Sequence, residues 1–174
     1  LAQLPALAFA EPVLDDLQIA GDADMELRIG FDLKNLSDTL DVNVGLTLDN
    51  ARIGSDLLAL QADKLTGQVG YQTATGFYST DLSATLFGRP VSVDIGPHLT
   101  TRPDTVLAAA FQFEAAVADI SAWQPTSVTF PAEGVAPVTV AVTVDDAVAV
   151  DIRSDLEGVA IDLPLPWGKV AESR

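Results

Sequence analysis

The chain has 174 residues, 48% of them hydrophobic, and carries 25 acidic against 9 basic residues, a formal net charge of −16. Phosphate binding needs clustered cations, so this balance excludes a nucleic-acid partner and opposes lying flat on an anionic leaflet. Cysteine is absent, which rules out disulfides and thiolate metal sites, and no apolar run reaches the roughly 18–20 residues of a membrane span.

Residues 1–14 are expected to form a loop or short helix. Leu4–Ala10 before Glu11 superficially resembles the end of a signal peptide, but the basic n-region is missing and Pro5 interrupts the run. The chain opens on Leu rather than Met and is read as a piece or a processed product. From residue 15 onward the pattern is that of strands. Over Ala23–Leu33, Ala23, Met25, Leu27, Ile29, Phe31 and Leu33 alternate with polar residues, the mark of a strand with one buried face. Asn35–Thr39 supplies turn residues, and Leu40–Leu48 repeats the alternation with Val42, Val44, Leu46 and Leu48 apolar. Asn50–Ile53 and Leu57–Leu65 read as two shorter strands separated by Gly54-Ser55-Asp56.

Leu65–Ile95 reads as strand, turn, strand, turn, strand. Gly67–Thr73 and Phe77–Leu86 form a hairpin about Ala74-Thr75-Gly76; Gly88-Arg89-Pro90 then breaks the run before Val91, Val93 and Ile95 resume it. His98–Asp104 reads as a loop and Thr105–Phe113 as a strand, because Phe111 and Phe113 stand two apart. A short helix is expected over Ala115–Trp123, ended by Pro125, followed by an irregular Val128–Pro137 with two prolines and a glycine. Val138–Val144 and Val148–Ile152 are strands joined at Asp145-Asp146, and Val159–Leu163 is the last strand before Pro164 and Pro166. Roughly ten strands joined by short turns, with one short helix, define a mostly β antiparallel meander.

Enzyme signals are poor, and the chain is read as a non-enzyme without cofactor or metal. The G-x-S-x-G, H-E-x-x-H and phosphate-loop motifs are missing, and His98 is the only histidine, flanked by Pro97 and Leu99 in a loop. Asp22, Asp24 and Glu26 share a strand face without the spacing of a calcium loop, and read as a solvated exterior. Nothing selects an acid pair for hydrolysis among the carboxylates. The informative feature is the apolar face. It fits either a closed β-sandwich, in which two such sheets cover each other, or an open curled sheet whose inner face receives acyl chains.

Ser154-Asp155-Leu156-Glu157-Gly158-Val159-Ala160-Ile161-Asp162-Leu163-Pro164-Leu165-Pro166-Trp167-Gly168-Lys169 resembles the S-D-L-x-G-L-x-x-x-L-P-x-P-L-G-K segment of the YhdP family, large AsmA-like proteins of Gram-negative envelopes; Trp167 stands where that family more often has Leu. Gly21–Leu27 is similar to its G-x-x-x-L-x-L strand, Leu65-Thr66-Gly67 to its L-x-G step and Leu82–Val91 to its A-x-L-x-G-x-P-V turn. The resemblance spans residues 15–174 and covers an interior part of proteins several times longer. It implies a periplasmic segment held at the inner membrane by an N-terminal anchor outside this sequence, with membrane contact through those outside parts. It further implies a taco-like β-groove that conducts phospholipid between inner and outer membranes.

The resulting expectation is a single segment, 1–174, of a longer β-groove, its partners being phospholipid acyl chains and neighbouring segments of the full-length protein. The expected lining is Leu27, Ile29, Phe31, Val42, Val44, Leu46, Leu82, Leu86, Val91, Val93, Val140, Val142, Val150, Ile152, Val159 and Ile161. The alternative is a structural or adhesive β-sandwich module without lipid cargo.

Overall fold

Period-two alternation puts apolar side chains on one surface of each strand, and consecutive strands of that kind gain most by pairing side by side with their apolar surfaces aligned. The computed structural model, which describes residues 16–31, 41–56, 59–102, 105–123, 131–145 and 147–163, has this arrangement. The strands are β1 (Leu17–Gly30), β2 (Asp41–Ser55), β3 (Leu60–Gln72), β4 (Gly76–Leu86), β5 (Arg89–Ile95), β6 (Leu107–Ala116), β7 (Ala132–Val144), β8 (Val148–Arg153) and β9 (Val159–Ile161). They form one antiparallel meander in the order β1 to β8, with β9 pairing the other end of the β7 edge that β8 occupies. The sheet is not closed. No second sheet faces it among the described residues, so the β-sandwich alternative is set aside.

Turn chemistry matches the connections. Phe87 (φ 52°) and Gly88 (φ 75°) between Leu86 and Arg89 form the doubly left-handed loop that suits a two-residue hairpin. At the β3–β4 hairpin, the Thr75 N–H donates to the Gln72 carbonyl at 3.2 Å and Gly76 takes φ 77°.

Two differences from the sequence expectation share one cause. The strands expected over 40–48 and 50–53 are a single strand, β2, and Leu60–Gln72 is likewise continuous. Asn50 (φ 53°), Lys64 (φ 55°) and Asp81 (φ 50°) are each an extra residue at which the pairing register slips. An extra residue would send all later side chains to the opposite face, but a bulge absorbs it. Leu48 and Ala51, Ala62 and Leu65, and Ser79 and Leu82 therefore share a face although each pair stands three apart.

Glycines complete these bends. Gly67, at φ 128°, lies where an added Cβ would sit 2.5 Å from the Asp81 carbonyl oxygen and 2.7 Å from the Leu82 Cα. Only glycine tolerates that approach and that backbone conformation. Gly21 (φ 120°) meets the Ala51 backbone at the Asn50 bulge in the same way, and Gly134 (φ 122°) meets Gly158 where β9 joins β7. Bulges and glycine kinks are how a sheet curves sharply.

The region expected to be irregular over 128–137 is corrected in part: from Ala132 it belongs to β7. Pro137 fits because β8 pairs Thr139–Val144 and β9 pairs Ala132–Gly134, leaving that side of β7 without a strand partner around the proline. The helix α1 (Val117–Trp123) begins two residues later than expected, because β6 continues to Ala116. The loop from His98 contains a single 3-10 turn, Pro97–Leu99. Strand β9 ends at Ile161, two residues short of the expected boundary. The expected signal-like segment 4–10, the turn over 35–39, Pro125, Pro164 and Pro166 lie outside the described residues.

Candidate functional site

The meander assembles apolar rows that run across the strands. Leu82 lies opposite Val93, and the row continues through Phe111 and Val140 to Ile152 on the sheet edge. A parallel row runs from Ala84 through Val91 and Phe113 to Val138. On the other half, Leu27 lies opposite Val44, followed by Tyr71 and Phe77; Met25 lies opposite Leu46 and Val69; Ile29 lies opposite Val42. Val142 pairs Val150, Leu86 lies opposite Ala62, and Val159 and Ile161 lie opposite Gly134 and Ala132. Phe31 follows β1 directly and is exposed. The expected lining residues that lie in strands therefore share one face.

That face is a groove. Leu82 is 7% exposed and Val91 5%, although a single flat sheet leaves both its surfaces in water. Curling of the sheet lets neighbouring strands cover the middle: Leu48, Ala51 and Leu82 form a cluster against which Leu46, Leu65, Val69, Val93 and Ile95 pack. Towards both edges the cover is lost. Leu27 is 54% exposed on β1, and Val150 and Ile152 are 57% and 68% exposed on β8. Large aliphatic side chains left in water along both edges of one face mark a surface built for contact. Tyr71 and Phe77 stack edge-on, centroids 5.1 Å apart, at the β3–β4 hairpin end.

Helix α1 packs mainly on β6 and β7, with Asp119 also reaching Arg89 at the start of β5, so it covers one end of the face. Between helix and sheet lies a cavity of about 260 Å³ with Ala136 and Val138 as floor, Val117 and Ile120 on the helix side, and Leu156 and Val159 at the edge. The segment resembling the family motif builds that edge. The Leu156 N–H donates to Ser154 Oγ at 3.1 Å, the Glu157 N–H donates to Asp155 Oδ1 at 2.8 Å, and the Val159 N–H donates to the Leu156 carbonyl. These local bonds turn the chain after β8, and Gly158 lets it rejoin β7 as β9. Ser154, Asp155 and Gly158 thus shape the edge, while Leu156 contributes to the cavity wall.

The opposite face is polar and acidic. Its arginines are held by carboxylates: Arg28 by Glu26 at 2.8 Å, Arg52 by Asp63 at 2.6 Å, and Arg153 by Asp151 at 2.8 Å. The Arg52 hydrogen bond, aided by Gln61 and opposed by slight desolvation, holds the Asp63 carboxyl below the usual aspartate value; the Asp151 hydrogen bond pushes the Arg153 guanidinium up. His98 lies exposed with its Nε2 2.8 Å from Asp94 Oδ2. Asp22, Asp24 and Glu26 line the outer side of β1. No group of three or more metal-ligating side chains comes together among the described residues.

Sequence reasoning missed part of the lining: Met25, Leu48, Val69, Tyr71, Phe77, Phe111, Phe113 and Val138 lie on the same face. The spacing of two between Phe111 and Phe113 was the available signal for β6; for β3 and β4 the bulges hid the phase.

One curled, unclosed sheet with a single continuous apolar surface defines a β-groove protein. A family model described as YhdP protein matches residues 8–174, and the chain belongs to that family of AsmA-like envelope proteins. No curated protein and no solved structure matches the chain. Among the described residues no helix is long and apolar enough to cross a membrane.

Proposed function

We propose that this chain is one segment of a groove that conducts phospholipid between inner and outer membranes, at the periplasmic side of an inner-membrane-anchored protein. The observation that carries the reading is the apolar face that crosses all the strands and stays open along both edges. Each acyl methylene transferred from water to that face contributes about 0.8 kcal/mol. A lining that is apolar apart from Arg89, which is opposite Leu86 and held by Glu114 and Asp119, spreads the gain along the path, so a chain is held in the groove without being trapped at one point. Passage requires solvation rather than bond chemistry, so the segment works without a catalytic group or cofactor. The edge strand β1 is 14 residues long and its outer side is unpaired among the described residues. Such an edge is a template for another strand, and neighbouring segments of the full-length protein would extend the sheet and the groove there.

The test is site-specific photo-crosslinking in cells. A photoreactive residue at Val140, on the apolar face, should capture phospholipid; one at Thr139, on the opposite face, should not. Equal labelling at the two positions, or none at Val140, would refute the groove.

A further inference from the structure

The row Ala84–Val91–Phe113–Val138 does not stop at Val138, because that residue also lines the cavity of about 260 Å³ beneath helix α1. The recess exists because the next positions of β6 and β7 on this face carry only methyl groups, Ala115 opposite Ala136. Its lining runs along β7 from Val138 to Ala132, about 20 Å at 3.3 Å per residue, so the space is long and narrow. The walls are hydrocarbon almost throughout: Ser154 is the one polar residue lining it, and its Oγ accepts the Leu156 N–H at 3.1 Å. A helix of seven residues is marginal by itself and relies on burying an apolar side. Yet no residue of α1 is buried, and Val117 and Ile120, three apart and so on one side of it, both line the cavity.

From this arrangement we infer that the cavity seats the methyl end of one phospholipid acyl chain, a fixed station on the groove. The inference rests on the lipid-groove reading above. An apolar cavity of about 150 Å³ accommodates benzene, and it stays dry because water finds no polar partners in it. Scaled by volume, about 260 Å³ takes about ten carbons of a tail. The lining offers a phosphate or an ammonium no charged partner, so hydrocarbon enters and the headgroup stays outside. The methyl end is the one end of a phospholipid that is hydrocarbon alone. It reaches the cavity past Val138, the residue shared with the row. Lying against Val117 and Ile120, it gives α1 the apolar burial that the helix's own contacts leave out. Lipid occupancy is therefore highest beside α1.

The experiment uses two phosphatidylethanolamine probes that differ only in where one tail carries a photoreactive diazirine, at the methyl end or beside the ester. Each is mixed with the protein below saturation and irradiated, and the labelled residues are read by mass spectrometry. The methyl-end probe should label Val117 and Ile120 about tenfold more than the ester-side probe, because an ester in that lining lacks a hydrogen-bond partner. Both probes should label the groove row at Val93 and Phe111. Each methylene is worth about a fourfold change in binding, and Ala136→Leu puts about three extra carbons into the cavity. That variant should cut labelling of Ile120 by about tenfold to sixtyfold and leave Val93 unchanged. Its urea midpoint should lie at or above that of the parent, as for other cavity-filling changes. If it does not fold, the comparison of the two probes on the unaltered protein decides alone. Equal labelling of α1 by the two probes, or none, with the row still labelled, would overturn the station and leave the groove. Absence of label from the row and from α1 alike would refute the groove reading, and the station with it.

Discussion

Placing a charge at two points of the same apolar row separates an open groove from a covered core. Leu82, 7% exposed, and Ile152, 68% exposed, stand at opposite ends of the row Leu82–Val93–Phe111–Val140–Ile152. Leu82→Asp removes a side chain whose burial contributes about 1.5–3 kcal/mol and forces a carboxylate into an unpaired, mostly dry position at a further cost of several kcal/mol. That sum takes most of the 5–15 kcal/mol by which a domain is stable, so the variant should not fold. Ile152→Asp forfeits only the third of its surface that is covered, about 0.5–1 kcal/mol, and its carboxylate stays in water. Urea unfolding followed by circular dichroism should therefore give Ile152→Asp a cooperative transition close to that of the parent and Leu82→Asp none. In the folded Ile152→Asp protein, lipid capture at Val140 should fall sharply, because a charge now borders the path. If Ile152→Asp collapses as Leu82→Asp does, the edge is covered in the folded protein and the face is an interior rather than a groove.

Gly67→Ala should cost about 3 kcal/mol or more in urea unfolding, because it combines a glycine-only conformation with backbone overlap, whereas Gly88→Ala, where nothing lies within 4 Å, should cost about 1–2 kcal/mol; equal costs would refute the kink. Asp63→Asn should lower the melting temperature at pH 7. Because the native carboxyl lies below the unfolded value, the stability it contributes is present above about pH 3.9 and is lost as pH falls through the lowered native value, so parent and variant curves should converge in acid. Asp155→Ala should cost about 1 kcal/mol by removing the acceptor of the Glu157 N–H, and hydrogen exchange should quicken at Val159 while β3 is unaffected.

Where alternation ran unbroken, the sheet was legible from residues alone. Met25 to Ile29, Val42 to Leu48, Leu82 to Ile95 and Val138 to Val144 fall on the face their period dictates. The pattern failed where a left-handed residue was inserted. The alternation broke after Leu48 and suggested a new strand from Asn50, yet Asn50 only resets the phase between Leu48 and Ala51. Pro137 looked like a strand breaker because sequence does not reveal that β8 and β9 leave a gap opposite it. Whether the face was open or covered also lay beyond reach, since Leu, Val and Ile in period two suit a sandwich interior as well as a groove. That question is decided by what packs above the sheet, a relation between distant parts of the chain.

The bends at Gly21, Gly67 and Gly134 carry a consequence for how such a protein can change. Its curvature is written in the main chain, so the oily residues toward the edges, outside the packed middle, have no jigsaw to satisfy and can be exchanged for others of different bulk. Drift at those positions would retune the width and slipperiness of the passage while its outline persists. Loss of one of the three glycines would instead straighten the wall, whatever the lining.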